Sequence, residues 1–349
     1  MKNIFVTLLL GLFVFCSCSD AEKIFKGEVT FVEKPATDML AGEKIVLDGL
    51  YDGYPIVFDS VISFVSFRYP DYFLANFNVN TGSHIGDFCR KGQGPDEFLS
   101  VSVLNTENNY DFWVYDYNKR HFVLANMLTG TLKKRIDFST YKKKGTFPFA
   151  RCFILNDSLL VAVNQPEQKN VNRDVMLPKY RIINYLTNEE IANYELYDED
   201  LYNKLREGKN EVQLAENYRI KPDKNKIVGT MYGMFQINII ELKTGQIRGY
   251  RVIDTRGFDF VRIPNDDRYK AYSLVAVDDD FIYAMLDNFR TNAKPIIHVF
   301  NWEGIFVRIL EFDQKGKNFD LDIVNKKLYF KDDEERENVW VYDVNYLYQ

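Results

Sequence analysis

Asn78–Gly82 reads NVNTG, and the pattern returns along the chain: NMLTG at Asn126–Gly130, NYLTN at Asn184–Asn188, ELKTG at Glu241–Gly245 and FNWEG at Phe300–Gly304. The closing residues of these segments lie 48, 58, 57 and 59 positions apart. Each segment follows a run of β-formers (YFLANF, HFVLA, YRII, FQINII, IIHVF) and precedes another (SHIGDF, TLKKRIDF, EEIANYEL, QIRGYRVI, IFVRILEF). Gly or Asn at the turn tolerates the positive φ that tight hairpins require. Five antiparallel hairpins at near-regular spacing are therefore expected.

Working outward, two more strands precede the hairpin in a unit: VSVLN and YDFWVYDY in the second, YSLVAVD and FIYAML in the fifth. Four strands per unit, repeated radially, is the β-propeller pattern. A sixth unit runs through FDLDIV, KKLYF and VWVYDV, and the chain then nearly ends without a clear fourth strand. EKIVL, Glu43 to Leu47, stands unpaired before the first unit. If it completes the last sheet, the ring closes without an open seam. The expected fold is all-β, a six-bladed β-propeller of four-stranded antiparallel blades, closed by an N-terminal strand completing the last blade. The 28 Phe and 23 Tyr suit such half-buried pleated surfaces.

Arg90–Phe98, RKGQGPDEF, poses the competing possibility of a phosphate-binding loop. A Walker A loop needs Lys and Ser/Thr after its last glycine and then a helix. Here Pro95 and Asp96 follow Gly94, proline lacks the amide a phosphate nest would use, and LSVSVL alternates like a strand. The segment instead links the fourth strand of blade one to the first of blade two. Gly92 and Gly94 permit a sharp reversal, Pro95 fixes φ, and Phe98 is placed to plug the gap between blades. GQGPDEF resembles the G-x-G-P-x-E-F signature of the six-bladed β-propeller lipoproteins of Bacteroides-type bacteria, grouped with TolB-like and NHL-like propellers. IIHVFNWEGIFVRILEFD and FDLDIVNKKLYF are similar to their last two blades. The resemblance implies the fold and an envelope location, with Gly92, Gly94, Pro95, Glu97 and Phe98 in a mainly structural loop. It implies no reaction.

The N-terminus points to the same compartment. Lys2 precedes a 12-residue apolar run, Ile4 to Phe15, too short to span a bilayer. The run ends in FCSCSD, where Cys18 follows small Ser17; this resembles a bacterial lipoprotein signal with Cys18 lipidated. Residues 1–17 are thus expected as a signal peptide, 18–40 as a tether and 41–349 as the propeller. A lipid would anchor the protein without spanning the membrane, with periplasmic and surface-facing placement at the outer membrane both open. Beyond the signal only Cys89 and Cys152 remain, 63 residues apart, and two buried thiols are favoured over a disulfide. Scattered His84, His121 and His298 and the absence of C-x-x-C spacing predict no metal site and no cofactor. A net charge of −6 with both signs interspersed argues against a nucleic-acid partner.

Long connections on one face of a rigid scaffold are where binding usually sits. Segments 164–179, 197–217 and 254–272, the DNFRTNAKP loop and the glycine loop all join strand ends expected on one face. They carry Arg90, Lys91, Tyr197, Tyr202, Arg256, Arg268, Tyr269 and Arg290, a Tyr/Arg set suited to sugars, carboxylates or protein surfaces. The expected function is a membrane-tethered binding module, a monomeric domain whose partner is a glycan, peptide or envelope protein. The alternative is a hydrolase or lactonase-like enzyme with a carboxylate or metal site at the central channel; no nucleophile elbow, Asp-box or His cluster supports it. The acidic runs Asp278–Asp280 and Asp332–Glu335 lack calcium-loop spacing and are expected at exposed turns.

Overall fold

Val61–Val65, VISFV, is buried along its whole length. Val61 and Val65 pack toward one neighbouring sheet while Ile62 and Phe64 pack toward the other. Alternate side chains of a strand leave opposite faces, so a strand covered on both sides becomes a continuous apolar run. That is the condition of the middle strands throughout this computed structural model, which describes residues 25–107, 110–138, 149–164, 179–198, 216–253, 271–286, 294–332 and 334–349.

Three strands come first: β1 (Glu28–Val32), β2 (Thr37–Leu40) and β3 (Glu43–Val46). Blade one follows as β4 (Tyr54–Phe58), β5 (Val61–Val65), β6 (Tyr72–Asn78) and β7 (His84–Arg90). Blade two is β8 (Ser102–Thr106), β9 (Asp111–Asp116), β10 (His121–Asn126) and β11 (Leu132–Asp137). Blade three is β12 (Phe149–Ile154), β13 (Leu159–Asn164), β14 (Lys179–Asn184) and β15 (Glu189–Glu195). Blade four is β16 (Glu216–Ile220), β17 (Lys226–Met231), β18 (Gln236–Glu241) and β19 (Ile247–Val252). Blade five is β20 (Tyr272–Val277), β21 (Phe281–Leu286), β22 (Ile296–Asn301) and β23 (Phe306–Phe312). Blade six is β24 (Phe319–Asp322), β25 (Lys327–Lys331) and β26 (Asn338–Asp343), completed by β3.

The closure is antiparallel, with Ile45 opposite Val339 and Lys44 opposite Trp340. The protein is thus a six-bladed propeller with a three-plus-one closing sheet. The segment read as a tether does more than lead into β3. β1 pairs parallel with β19, and β2 pairs parallel with β23, so each adds a fifth strand to its sheet. Residues 28–46 therefore stitch blades four, five and six along their outer edges before the ring begins.

Six apolar clusters hold the molecule together, each at the junction of two neighbouring blades. The aromatic abundance goes here. Tyr115 stacks on Phe122, which meets Phe138 edge-on between blades two and three. Phe312, Phe330 and Tyr342 pack together between blades five and six. Aromatic side chains bury large areas, and such pairs add about 0.5–1.5 kcal/mol beyond area. Cys89 and Cys152 are separate buried thiols in different clusters, and burial pushes both well up, Cys89 to about 12.

The hairpin motif has a repeated construction. Gly82, Gly130, Gly245 and Gly304 have φ between +70° and +84°, and Asn188 has φ of +61°. Asn78, Asn126, Asn184 and Asn301 open their turns by accepting backbone N–H groups two to four residues on. A β-bulge follows in four of the hairpins, as expected of a turn that ends in a left-handed residue.

Candidate functional site

The glycine loop is held internally. Phe98 N–H donates to Arg90 O at 2.8 Å, and Gly92 N–H donates to Phe98 O at 3.0 Å. The Glu97 carboxylate accepts Gly94 N–H at 2.9 Å and lies where a Cβ on Gly92 would fall. Lys119 Nζ donates to Gly94 O at 2.8 Å and Glu97 O at 2.6 Å. Phe98 is buried in the cluster between blades one and two. With the Gly92, Gly94, Glu97 and Phe98 amides engaged within the protein, the loop does not offer an anion cradle. Glu97→Ala is expected to cost about 1 kcal/mol by leaving Gly94 N–H without its acceptor. Urea denaturation checks this.

The side chains expected on the loop face meet different fates. Arg90 is exposed and pairs with Glu97 at 3.6 Å. Lys91 Nζ donates to Phe67 O at 2.8 Å and to Tyr69 O, and it sits 4.9 Å from the Phe73 ring, a structural tie. Tyr197 is not on an open face. Residue 25 bridges to it, Lys26 N–H donates to Leu196 O at 2.8 Å, and the Phe25 ring covers it, leaving it 4% exposed. Tyr202, Arg256, Arg268, Tyr269 and Arg290 lie outside the described residues, as do Cys18 and most of the long connections. Asp278 is not at an exposed tip. It is buried, capping Asp280 N–H and Phe281 N–H, and it accepts from Lys326 and Tyr348. Asp332 likewise caps its own turn and accepts Trp340 Nε1–H at 2.7 Å.

Charged side chains also meet on the propeller axis. The first strand of every blade lines a cavity of about 240 Å³. It runs from Tyr54 and Asn318, near the starts of their strands, to Pro222 and Lys224 in the turn after β16. Val57, Ile220, Val275 and Phe319 supply apolar wall. Arg151 from blade three and Arg219 from blade four enter it together with Asp320 from blade six. Among the described residues, Arg151 has one hydrogen bond, to Ser102 Oγ at 3.1 Å, and Arg219 has one, to Tyr218 O at 3.0 Å. Among the described residues, neither guanidinium has a carboxylate within ion-pair distance. Arg219 is pushed below its ordinary range by burial and by the like charge of Arg151. Asp320 accepts Val57 N–H at 2.9 Å, and burial raises its carboxyl to about 6 although Arg219 and that hydrogen bond pull it down. Lys221 and Lys224, at the far end, are paired with Asp223 and Glu107.

Sequence reasoning passed over these residues. Their only signal was an arginine inside each of two inner-strand runs, FARCFI and ENYRI. Which inner-strand residues face the axis depends on how the ring closes, and that is not written locally. Among the described residues, no three His, Cys, Asp or Glu side chains converge as a metal-holding group.

A closed propeller with a charged axial cavity is a scaffold used for recognition and for catalysis alike, so the fold alone does not choose. No protein-family model matches the chain, and no curated protein is similar to it. Among the solved structures with a similar fold are two crystal structures from Bacteroides. One is a protein of Bacteroides fragilis NCTC 9343 named as a candidate exported protein, with a TM-score of 0.55 and 12% identity over 90% of this chain and 98% of that one. The other is a DUF4221 family member from Bacteroides vulgatus, with a TM-score of 0.56 and 12% identity over 86% of this chain and 95% of that one.

Proposed function

We propose that the protein is a binding module of the cell envelope, tethered by lipid on Cys18, which takes its ligand at the propeller axis. The observation that carries this is the axial cavity with two arginines that have no ion-paired carboxylate among the described residues. The likeness to a candidate exported protein and the lipoprotein-like N-terminus support the envelope location. A glycan, a peptide or an envelope protein would present an acidic or hydrogen-bonding end to the cavity and lie across the loop face. The test is mild cross-linking in native membranes, purification of the full chain, and mass spectrometry of what comes with it. Cys18→Ala, which should leave the membrane, is the control. A partner or glycan captured only with the anchored form supports the reading. Equal membrane retention of Cys18→Ala sinks the tether.

Asp320 favours one second reading, a lactonase- or hydrolase-like enzyme. A half-buried carboxyl raised to about 6 is near the range useful for proton transfer. Turnover of model lactones or esters that disappears in Asp320→Asn would establish it. Absence of turnover across such a panel would remove it.

A further inference from the structure

We infer that the axial cavity binds a small organic oxyanion, its carboxylate or phosphate group held between Arg151 and Arg219 and its short apolar body set against Val57, Val275 and Phe319. The inference rests on the reading above that the channel is the binding site, and it names the chemistry of the ligand.

Charged side chains are rarely drawn into an interior unless paired, because an unpaired buried charge is costly. Here two like charges, both half-buried, enter one cavity from adjacent blades, and the charge of Arg151 works against that of Arg219. Each guanidinium spends one donor on the protein, which leaves about four N–H groups each for a ligand. A planar fork of this kind matches the oxygens of carboxylate and phosphate. The acid in the same cavity offsets them only in part. Asp320 is turned to the Val57 amide, stands beyond ion-pair distance of both arginines, and carries at most one charge against two. The lysines at the far end are satisfied by their own carboxylates and do not compete.

Size limits the occupant. A cavity of about 240 Å³ falls below the ~300–1,000 Å³ of drug-sized sites. It admits a molecule of few heavy atoms, or the terminal group of something larger lying outside. The apolar walls favour a hydrocarbon or aromatic body over a free inorganic ion.

Isothermal titration and thermal melting on the purified full chain in detergent test this. The probes are benzoate and its neutral isostere benzamide, phenyl phosphate, and inorganic phosphate. Benzoate or phenyl phosphate should bind and raise the melting temperature, and which of them binds better separates a carboxylate from a phosphate source. Benzamide should not bind. Arg151→Gln and Arg219→Gln should each weaken the binding at least about tenfold, the loss of one charge-assisted contact. Without ligand both variants should melt at or above the wild type, since each removes half of a repulsive pair. Lower melting would show that the arginines serve the fold, and would overturn the inference. Benzamide binding as well as benzoate would overturn the anion and leave the channel reading standing. Inorganic phosphate binding alone would overturn the organic body. No binding of any probe at about 10 mM would sink the inference, while cross-linked partners would still judge the binding-module reading.

Discussion

Gly82→Ala should destabilise the protein by about 2–5 kcal/mol, far more than its exposed hairpin position suggests. Gly82 has φ of +72°, and a Cβ there would overlap the carbonyl oxygen of Val46 on the closing strand. A side chain in the left-handed region costs about 1–2 kcal/mol. Forcing apart well-packed atoms costs a further ~1–3 kcal/mol. The obstacle is backbone, so no rotamer change relieves it. The contact also sits at the seam of the ring: Asp48 N–H donates to Gly82 O at 2.7 Å, and Leu47 N–H donates to Glu337 O at 2.7 Å. The same relation recurs around the ring, with Gly130 against Phe88, Gly245 against Tyr194 and Gly304 against Tyr250. In each case the hairpin glycine meets the fourth strand of the preceding blade. Asn188 holds the equivalent place with φ of +61°. Asn188→Gly should change stability by less than about 1 kcal/mol, because asparagine already tolerates that region. Equilibrium urea denaturation of both variants decides; a Gly82→Ala change below about 1 kcal/mol would show that the seam yields easily.

These contacts explain what was legible in the sequence. The hairpins could be read because a turn with positive φ demands Gly or Asn at one position, and the demand repeats with the blade. The closing strand could be read because the last unit lacked a strand and EKIVL lacked a partner. β1 and β2 could not. EVTFV and TDML run parallel to the strands they join, so no tight turn announces them, and their faces are half exposed. Tyr197 was misplaced for the same reason, since the segment that covers it comes from β1's own lead-in, far away in sequence. The axial arginines were illegible for a different one. Inner-strand side chains divide between the two blade interfaces and the channel, and only the assembled ring assigns each its direction.

Raising the pH from about 5 to 8 should lower stability by on the order of 2 kcal/mol, the net of Glu216 and Asp320 against His298, and Glu216→Gln should remove most of that loss. Glu216 is 8% exposed. It accepts a hydrogen bond from Tyr180 Oη–H at 2.6 Å and another from Asn238 Nδ2, and no cation lies within ion-pair distance among the described residues. Asn238 accepts in turn from Gln236 at 2.7 Å, and Gln236 from Arg251 at 2.9 Å. Burial outweighs both hydrogen bonds and lifts the carboxyl to about 7. In the unfolded chain it titrates near ~4.3. Between those values the folded state holds the proton that the unfolded state has lost, so stability falls as pH rises through the window. Asp320, raised to about 6, acts in the same direction over its own range. His298 opposes them. It is buried against Tyr272, with Tyr272 Oη 3.0 Å from its Nδ1, and its imidazole is pushed down to about 3. Its neutral burial costs stability as pH drops below ~6.5. Asp52, Asp59, Asp157 and Glu195, all lowered by their partners, withdraw stability further below about 4. The maximum should therefore fall near pH 4–5, with a descending limb toward neutrality that belongs chiefly to Glu216. Glutamine keeps an acceptor for Asn238 and offers a donor to Tyr180, so Glu216→Gln should flatten that limb without loosening the blade. If the variant instead loses stability equally at pH 5 and pH 8, the carboxylate is ionised in the native state and a cation compensates it.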